Sequence, residues 1–347
     1  MKRYILMFFV LVVAAGMVLS CSKKREYSVA WSHYTGWEPW DYADSSGILK
    51  KWADKYGITI KLVRVNDYVE SINLFTAKKY QACAMTNMDA LTIPAAGGID
   101  CTALIIGDFS NGNDGIVTKK EKAVADLAGK RIMLVQNSVS HYLLSRALAM
   151  NGVAEKELTV VNTSDADIGS VFLSEKEGIA VTWNPILMQV RKTEGVNMIF
   201  DSSKIPGEII DMLVIHSDAP EDLKKALTGA WYETMALIAD QAENGDALAQ
   251  MAKSSAATVP EFMEQLKTTA MFYKASDAVR FGESAQLKKT MEYVRSFSFD
   301  NKLFGESAGS KNFVGIRFPD GTVMGDAANV KLRLDVTYMG MAAEGKL

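Results

Sequence analysis

Short strand-like runs alternate with helical patterns along most of this chain, and this alternation limits its possible folds more than any other feature. Residues typical of β-strands occupy four early segments: residues 27–31, 58–65, 81–85 and 101–106. Segments with apolar residues three and four positions apart lie between them, at residues 41–56, 67–80 and 88–96. Strands that alternate with helices are typical of a parallel sheet covered on both faces. The pattern therefore predicts an α/β fold.

A glycine-rich segment at residues 107–115, GDFSNGNDG, interrupts this alternation, and a second series of strands and helices follows it. Strands are predicted there at residues 131–135, 158–161, 178–181, 198–200 and 212–215, and helices at 141–150 and 166–174. Helical patterns dominate after residue 220, at 223–241, 260–271 and 283–298.

The length of 347 residues favours two structural units, because one hydrophobic core rarely organises more than roughly 250 to 300 residues. If the helices after residue 220 pack against the first unit, the chain crosses from the first unit to the second and back again. We therefore predict two lobes, each a mainly parallel sheet flanked by helices, with a hinge and a cleft between them. Lobe 1 comprises residues 21–113 and 217–347, and lobe 2 comprises residues 114–216.

The N-terminus has the pattern of an export signal. Lys2 and Arg3 precede an apolar run at residues 4–19, which is shorter than the roughly 20 residues of a membrane-spanning helix. This predicts a cleaved signal peptide over residues 1–20. The sequence VLSC at its end resembles a lipobox, which implies a lipid anchor on Cys21. An ordinary signal with an incidental cysteine is the alternative.

Composition and motifs argue against several classes of function. The formal net charge of −3 disfavours nucleic acid as a partner. The three histidines and three cysteines form no HExxH or CxxC motif, and no GxSxG or GxGxxG pattern occurs. We therefore predict no catalytic residue, no metal and no cofactor. Cys83 and Cys101 are expected to be buried free thiols, with a disulfide as the alternative.

Ligands of open α/β sheets bind beyond the carboxyl ends of the strands, and the candidate residues there are mainly acidic, aromatic and amide. They are Trp31, His33, Trp37, Glu38, Asn87, Asp89, Asp108, Asn113, Asp114, Ser138, Trp183 and Asn184, with Glu208 and Asp211 in the link back between the lobes. Six are carboxylates and none is lysine or arginine. A binding site for an anion normally recruits arginine, so this set favours a small planar cation such as guanidinium.

Several of these residues also have an ordinary structural interpretation. Asp89 and Asp114 are in positions where a carboxylate complements a helix dipole or fixes a turn. Glu208 and Asp211 are in positions where a carboxylate holds the hinge. Trp31 and Trp183 end strands and are possible core residues, whereas the polar surroundings of Trp37 make it the best stacking candidate. Urea remains an alternative ligand, because asparagine side chains both donate and accept hydrogen bonds.

The chain beyond the signal resembles the periplasmic solute-binding proteins of ABC importers, in the group that serves taurine, nitrate, sulfonates and thiamine-precursor pyrimidines. The resemblance rests on TNMDALTIPAAGG, AVADLAGKRI and APEDLKKALTGAW. The segments SVAWSHYTGWEPWDYADSSGILKKWADKYGI and IGDFSNGNDGIV resemble a subgroup encoded beside urea-carboxylase-type enzymes. Membership of this subgroup implies that the ligand is urea or guanidine.

The resemblance also implies a type II periplasmic binding protein fold and a protein that is not an enzyme. Such a protein is expected to be a monomeric, envelope-located lipoprotein that passes its ligand to permease subunits. The alternatives are a binding protein for a small anion such as taurine, sulfonate or nitrate, and a pyrimidine-handling enzyme of related fold.

Overall fold

The structure is a computed structural model that describes residues 24–239 and 245–347. The predicted signal peptide over residues 1–20 and the predicted lipid anchor at Cys21 lie outside these ranges. Within them, none of the helices is both long enough and apolar enough to cross a membrane.

The larger of two sheets has nine strands and forms the first lobe. The strands are β1 (Arg25–Trp31), β2 (Ile58–Arg64), β3 (Ala82–Thr86), β4 (Cys101–Ser110), β10 (Ile210–His216), β11 (Thr269–Met271), β12 (Gly315–Arg317), β13 (Val323–Met324) and β14 (Val330–Leu334). Their order is β13-β12-β14-β4-β10-β3-β1-β2, and β11 pairs with β4.

The smaller sheet has five strands and forms the second lobe. The strands are β5 (Asp114–Thr118), β6 (Arg131–Leu134), β7 (Thr159–Asn162), β8 (Ile179–Trp183) and β9 (Asn197–Asp201), in the order β7-β6-β8-β5-β9. The prediction of a two-lobed α/β fold is confirmed.

Helices cover both sheets. Those of the first lobe are α1 (Glu38–Ser45), α2 (Ile48–Lys55), α3 (Tyr68–Thr76), α4 (Asn87–Ala90), α8 (Glu221–Ala239), α9 (Gly245–Ser254), α10 (Val259–Lys267), α11 (Ala275–Gly282), α12 (Ala285–Asp300) and α13 (Thr337–Ala343). Those of the second lobe are α5 (Val139–Asn151), α6 (Asp165–Ser174) and α7 (Ile186–Arg191). The apolar core lies between these helices and the sheets.

Strand β10 lies in the first sheet, so the prediction that residues 212–215 belong to the second lobe is wrong. It runs antiparallel between β3 and β4, and all seven of its residues are buried. A central strand that is covered on both faces has a mostly apolar sequence in whichever lobe it lies, so the sequence pattern could not show which lobe contains β10. The chain therefore returns to the first lobe before residue 210. Both sheets are mixed rather than mainly parallel, because β5 and β10 run antiparallel to their neighbours.

The glycine-rich segment is mostly strand rather than loop. Strand β4 continues through Gly107 to Ser110, and β5 begins at Asp114, so only residues 111–113 connect the two lobes here. A Cβ atom at Gly107 would lie 3.1 Å from the Trp231 ring, so this glycine permits close packing on the strand. Gly112, with a φ of 111°, makes the turn between the lobes.

Two other local predictions differ from the structure in detail. The helix predicted over residues 41–56 is divided into α1 and α2 at Gly47, whose φ of 81° interrupts the helical backbone. The helix predicted over residues 88–96 starts at Asn87 as α4 and continues as a π-helical turn over Leu91–Ala95. Cys83 and Cys101 are buried free thiols, as predicted.

Candidate ligand-binding site

A small cavity lies between the two lobes. Its lining residues are Tyr34, Trp37, Tyr68, Thr86, Ile209 and Asp211 on the side of the first lobe, and Asp114, Val139 and Trp183 on the side of the second. About 10 Å³ of this cavity is open to the centres of water-sized spheres, which is the space of roughly one water molecule, so only a ligand with few non-hydrogen atoms is compatible with it.

Four aromatic rings form a continuous wall of the cavity. The Trp37 ring lies 5.0 Å from Tyr34 and 5.7 Å from Tyr68, measured between ring centroids. Tyr68 in turn meets Trp183 edge-on at 5.6 Å. The Trp183 indole donates a hydrogen bond to the backbone oxygen of His33 at 3.2 Å, which joins the second lobe to the first at this wall. The wall therefore offers flat apolar faces contributed by both lobes.

Three aspartates meet beside these rings, at the strands that link the lobes. Asp211 of β10 lies opposite Asp108 of β4 in the antiparallel register, and Asp114 is the first residue of β5. All three side chains are at most 2% exposed. The Tyr34 hydroxyl donates a hydrogen bond to Asp108 Oδ1 at 3.2 Å. The strand pairing therefore concentrates acidic groups that are far apart in the sequence.

Burial raises the pKa of each of these carboxyl groups. The pKa of Asp114 rises to about 7, because burial disfavours its charged form more than its hydrogen bond with Ser110 favours it. The pKa of Asp211 lies well above its ordinary range because of burial and the neighbouring charges of Asp108 and Asp114. Two neighbouring carboxyl groups without a basic partner do not readily ionise together, so one of Asp108 and Asp211 is expected to keep a proton in the ligand-free protein.

Each aspartate of this cluster has one buried oxygen without a hydrogen-bond partner among the described residues: Oδ2 of Asp108, Asp114 and Asp211. Buried polar atoms of this kind are uncommon and often mark a site that contacts a ligand. Across residues 24–239 and 245–347, no lysine or arginine lines the cavity. The same part of the chain contains no group of histidine, cysteine, aspartate or glutamate side chains arranged to hold a metal ion.

Asp89 supports the cavity from behind without lining it. Its Oδ2 accepts hydrogen bonds from the hydroxyls of Tyr68 at 2.6 Å and Thr86 at 2.8 Å, and both of these residues face the ligand space. Burial raises the pKa of Asp89 to about 6. Asp89 therefore fixes the Tyr68 ring.

The structure thus brings six of the predicted residues together at or directly behind the cavity wall: Trp37, Asp89, Asp108, Asp114, Trp183 and Asp211. Trp37 lies in a buried helical turn and is 5% exposed, so its polar neighbours in sequence do not make it a surface residue.

The other eight predicted residues neither line the cavity nor support its wall: Trp31, His33, Glu38, Asn87, Asn113, Ser138, Asn184 and Glu208. Trp31 is buried in β1 at 1% exposure and packs as a core residue. His33 and Glu38 pair with each other, with 2.7 Å between Nδ1 and Oε1. Ser138 caps α5 by accepting a hydrogen bond from the Ser140 amide at 3.2 Å.

The remaining four connect chain segments. Asn87 bonds the backbone of Glu208 and Ile210, and Asn113 donates to Thr269 Oγ1 at 2.6 Å. Asn184 donates a hydrogen bond to Thr268 Oγ1 at 3.3 Å.

Glu208 is occupied by two partners from α5. Its carboxylate accepts hydrogen bonds from the Arg146 guanidinium at 2.7 and 2.9 Å and from the Tyr142 hydroxyl at 2.6 Å.

The cavity also includes residues that the sequence argument did not select, namely Tyr34, Tyr68, Thr86, Val139 and Ile209. Tyr68 had a usable signal, because it follows the helix-capping residue Asp67 just beyond the carboxyl end of β2. Val139 and Ile209 are apolar residues next to selected positions, and nothing in the sequence distinguishes them from core residues.

The family of the chain follows from its sequence together with this fold. Residues 48–226, just over half of the chain, match the model of the family described as NMT1/THI5 like. The chain belongs to the NMT1/THI5-like family. No curated protein sequence matches it closely enough to count as a relative.

Solved structures similar to this family member share its fold at low sequence identity. The alkanesulfonate-binding protein SsuA from Xanthomonas axonopodis pv. citri, bound to MOPS, has 14% identity and a TM-score of 0.66, over 82% of this chain and 96% of that one. The periplasmic aliphatic sulphonate binding protein SsuA from Escherichia coli has 16% identity and the same TM-score and coverage. A Candida albicans protein with the generic periplasmic binding protein fold has 16% identity and a TM-score of 0.61, over 83% and 92%. The comparisons therefore show the NMT1/THI5-like family and a periplasmic binding protein fold for this chain.

Proposed function

We propose that this protein is the substrate-binding component of an ABC importer and that it captures guanidinium between its lobes. The observation that carries the proposal is the composition of the cavity. Two buried aspartates, Asp114 and Asp211, and four aromatic rings line it, the buried Asp108 lies directly behind Tyr34, and no basic side chain of the described residues lines it. No bond of the ligand is made or broken in this function.

Guanidinium matches these groups chemically. Its N–H donors lie in one plane, so they pair with carboxylate oxygens that have no other partner, and its flat faces stack on aromatic rings. A buried carboxylate is costly when it is unpaired, and a bound cation offsets that cost. The unpartnered oxygens of Asp108, Asp114 and Asp211 are therefore the proposed acceptors.

A sulfonate or nitrate ligand is the main alternative, because two of the similar structures are sulfonate-binding proteins. Oxyanions are usually held by arginine, whose planar donors match them. In this cavity an anion would instead face Asp114 and Asp211. The charge of the cavity therefore favours a cation over taurine or another sulfonate.

Urea is the second candidate, and one observation favours it. The Trp37 Nε1 donor is buried and has no hydrogen-bond partner in the described part of the chain. A neutral planar amide needs such a donor for its carbonyl oxygen, together with acceptors for its N–H groups. Urea would gain less than guanidinium from ionised aspartates.

The remaining elements of the proposal concern location and partners. The predicted signal peptide and the lipobox-like sequence at Cys21 support an envelope-located lipoprotein. We propose that it acts as a monomer and delivers the ligand to permease subunits. A pyrimidine-handling enzyme is the alternative from a different class. Recovery of unchanged ligand after incubation with the protein is the expected result, and a new product would overturn the non-enzymatic assignment.

Calorimetric titration tests the ligand directly. Guanidinium chloride, urea, taurine and nitrate are titrated separately into the protein at pH 8, with sodium chloride added to equalise ionic strength. We expect saturable binding of guanidinium at one site and weaker binding of urea. Guanidinium at about 100 times its dissociation constant should raise the free energy of unfolding by about 2.7 kcal/mol. Binding of taurine or nitrate without binding of guanidinium would overturn the proposal.

A further inference from the structure

A carboxylate of the second lobe reaches the start of a helix in the first lobe at the edge of the cavity. Asp165, the first residue of α6, accepts a hydrogen bond at Oδ1 from the backbone amide of Tyr68, the first residue of α3, at 3.2 Å. Asp165 is 4% exposed and Tyr68 is 1% exposed. The two residues come from different lobes, so this contact exists only while the lobes are together.

The local surroundings of Asp165 suit a carboxylate. The first amides of a helix have no acceptor within that helix, and the N-terminus favours negative charge. Amides of Tyr68, Asp165 and Ala166 therefore stabilise the charged form of the carboxyl group. Burial opposes them and raises its pKa to about 6. At neutral pH the group is thus mainly ionised, and it serves the N-termini of two helices at once.

Tyr68 connects this contact to the ligand space. Its ring lines the cavity between Trp37 and Trp183, and its hydroxyl donates to Asp89 at 2.6 Å. The Asp165 contact holds the backbone of the same residue. Separation of the lobes would therefore remove one of the two supports of Tyr68, the contact at its backbone, and leave the contact of its hydroxyl with Asp89.

We propose that Asp165 is a positioning residue that latches the second lobe onto Tyr68, fixes this ring against the ligand and slows ligand release. The role goes beyond the choice of ligand, and it rests on the proposed function only in the use of guanidinium as a probe. Asp165 itself does not line the cavity, so its effect on the ligand is exerted through Tyr68.

Three variants separate this latch from ordinary helix stabilisation. Asp165→Ala removes the acceptor, whereas Asp165→Asn retains an acceptor oxygen without the charge. Asp167→Ala is the matched control, because Asp167 is an exposed acid in the same first turn of α6 and contacts Ser164 rather than the first lobe. Dissociation of guanidinium is followed by stopped-flow tryptophan fluorescence. Asp165→Ala is expected to accelerate dissociation about tenfold, Asp165→Asn to restore part of the wild-type rate, and Asp167→Ala to leave it unchanged.

A second measurement does not depend on the ligand. The hydrogen-exchange rate of the Tyr68 amide, measured by NMR, reports its contact with Asp165 in the wild-type protein and in each variant. We expect faster exchange in Asp165→Ala than in Asp167→Ala, also without guanidinium. Equal exchange rates in these two variants, or equal dissociation rates where guanidinium binds, would overturn the latch. Failure of the wild-type protein to bind guanidinium would instead overturn the proposed ligand, with the exchange comparison still deciding the latch.

Discussion

Asp108, Asp114 and Asp211 are the residues whose burial is hardest to explain by folding alone. Buried carboxyl groups that lie together without a basic partner disfavour the folded state, and such clusters are typical of sites adapted to a ligand. Each has an oxygen with no hydrogen-bond partner in the described ranges. A bound cation explains all three at once, whereas turn formation or helix capping explains none of them.

Replacement of Asp108 by asparagine tests this interpretation. The change preserves the shape of the side chain and removes its charge, so guanidinium affinity is expected to fall about 10- to 100-fold, the range for hydrogen bonds to charged groups. Urea affinity should change far less. Calorimetry of both ligands measures the difference, with Asp320→Asn as a control because Asp320 is an exposed acid paired with Lys288. Equal losses for guanidinium and urea would contradict a charge interaction at Asp108.

Much of the acidic and indole chemistry of the site was predictable from the sequence, because Asp108, Asp114 and Trp183 lie at strand ends or lobe crossings. The partners of other candidates were not predictable. Glu208 is occupied by Arg146, 62 positions away, and only the fold brings these two together. Tyr68 was missed because an aromatic residue at the start of an amphipathic helix resembles a core residue.

At the level of elements, the three acidic residues lie on β4, β5 and β10, the strands between which the chain passes from one lobe to the other. The proposed ligand site and the hinge are therefore built from the same strands. Strand β4 ends three residues before β5 begins, and β10 brings the chain back beside β4. The glycine-rich segment predicts a crossing between the lobes, but the sequence could not show that Gly107 continues a strand that packs against Trp231. Glycine serves both turns and close packing, and only three-dimensional contacts distinguish these uses.

The turn before α1 sets the space available to Asp108. A Cβ atom at Gly36 would lie 2.4 Å from Asp108 Oδ2 and 2.6 Å from Tyr34 Cε1. Gly36→Ala should therefore displace both groups, weaken guanidinium binding at least tenfold and cost about 1 to 3 kcal/mol of stability, as overpacking usually does.

Calorimetry and thermal unfolding measure the two effects of Gly36→Ala separately. Gly340→Ala is the control, because a Cβ atom at Gly340, inside α13, meets nothing within 4 Å. Guanidinium binding by Gly36→Ala that equals wild-type binding would show that the turn does not constrain the site.

The whole molecule is held in a closed arrangement by contacts on the cleft side of the hinge. Trp183 bonds His33, Asp165 bonds Tyr68, and Lys192 of the second lobe pairs with Glu261 of the first at 2.6 Å. A ligand favours closure only through the contacts that it adds to both lobes. The cavity provides such contacts, because Asp114 and Trp183 of the second lobe and Asp211 and Trp37 of the first lobe all line it.

Ligand binding is expected to depend on pH. Burial raises the pKa of Asp114 to about 7, so at pH 6 this group is mainly protonated and cannot pair with a cation. Guanidinium affinity should rise about tenfold between pH 6 and pH 8, while urea affinity should not rise. Calorimetry at several pH values measures both, and a guanidinium affinity that is constant over this range would contradict the role of these carboxyl groups.

The same raised pKa values predict the direction in which the stability of the ligand-free protein changes with pH. The folded chain binds more protons than the unfolded chain between about pH 4 and the raised pKa near 7. The stabilisation from these protonated groups is complete below that interval and is lost as the pH rises through 7. Denaturant titrations should therefore give a lower free energy of unfolding at pH 8 than at pH 5.5. Guanidinium at micromolar to millimolar concentration should restore part of the stability that is lost at pH 8.

A crystal structure of the protein grown with guanidinium tests the central claim most directly. The expected result is one flat ligand between the rings of Trp37 and Trp183, with its nitrogens within about 3.2 Å of carboxylate oxygens of the aspartate cluster. Density for guanidinium elsewhere only, or an anion seated among Asp108, Asp114 and Asp211 in its place, would contradict the claim.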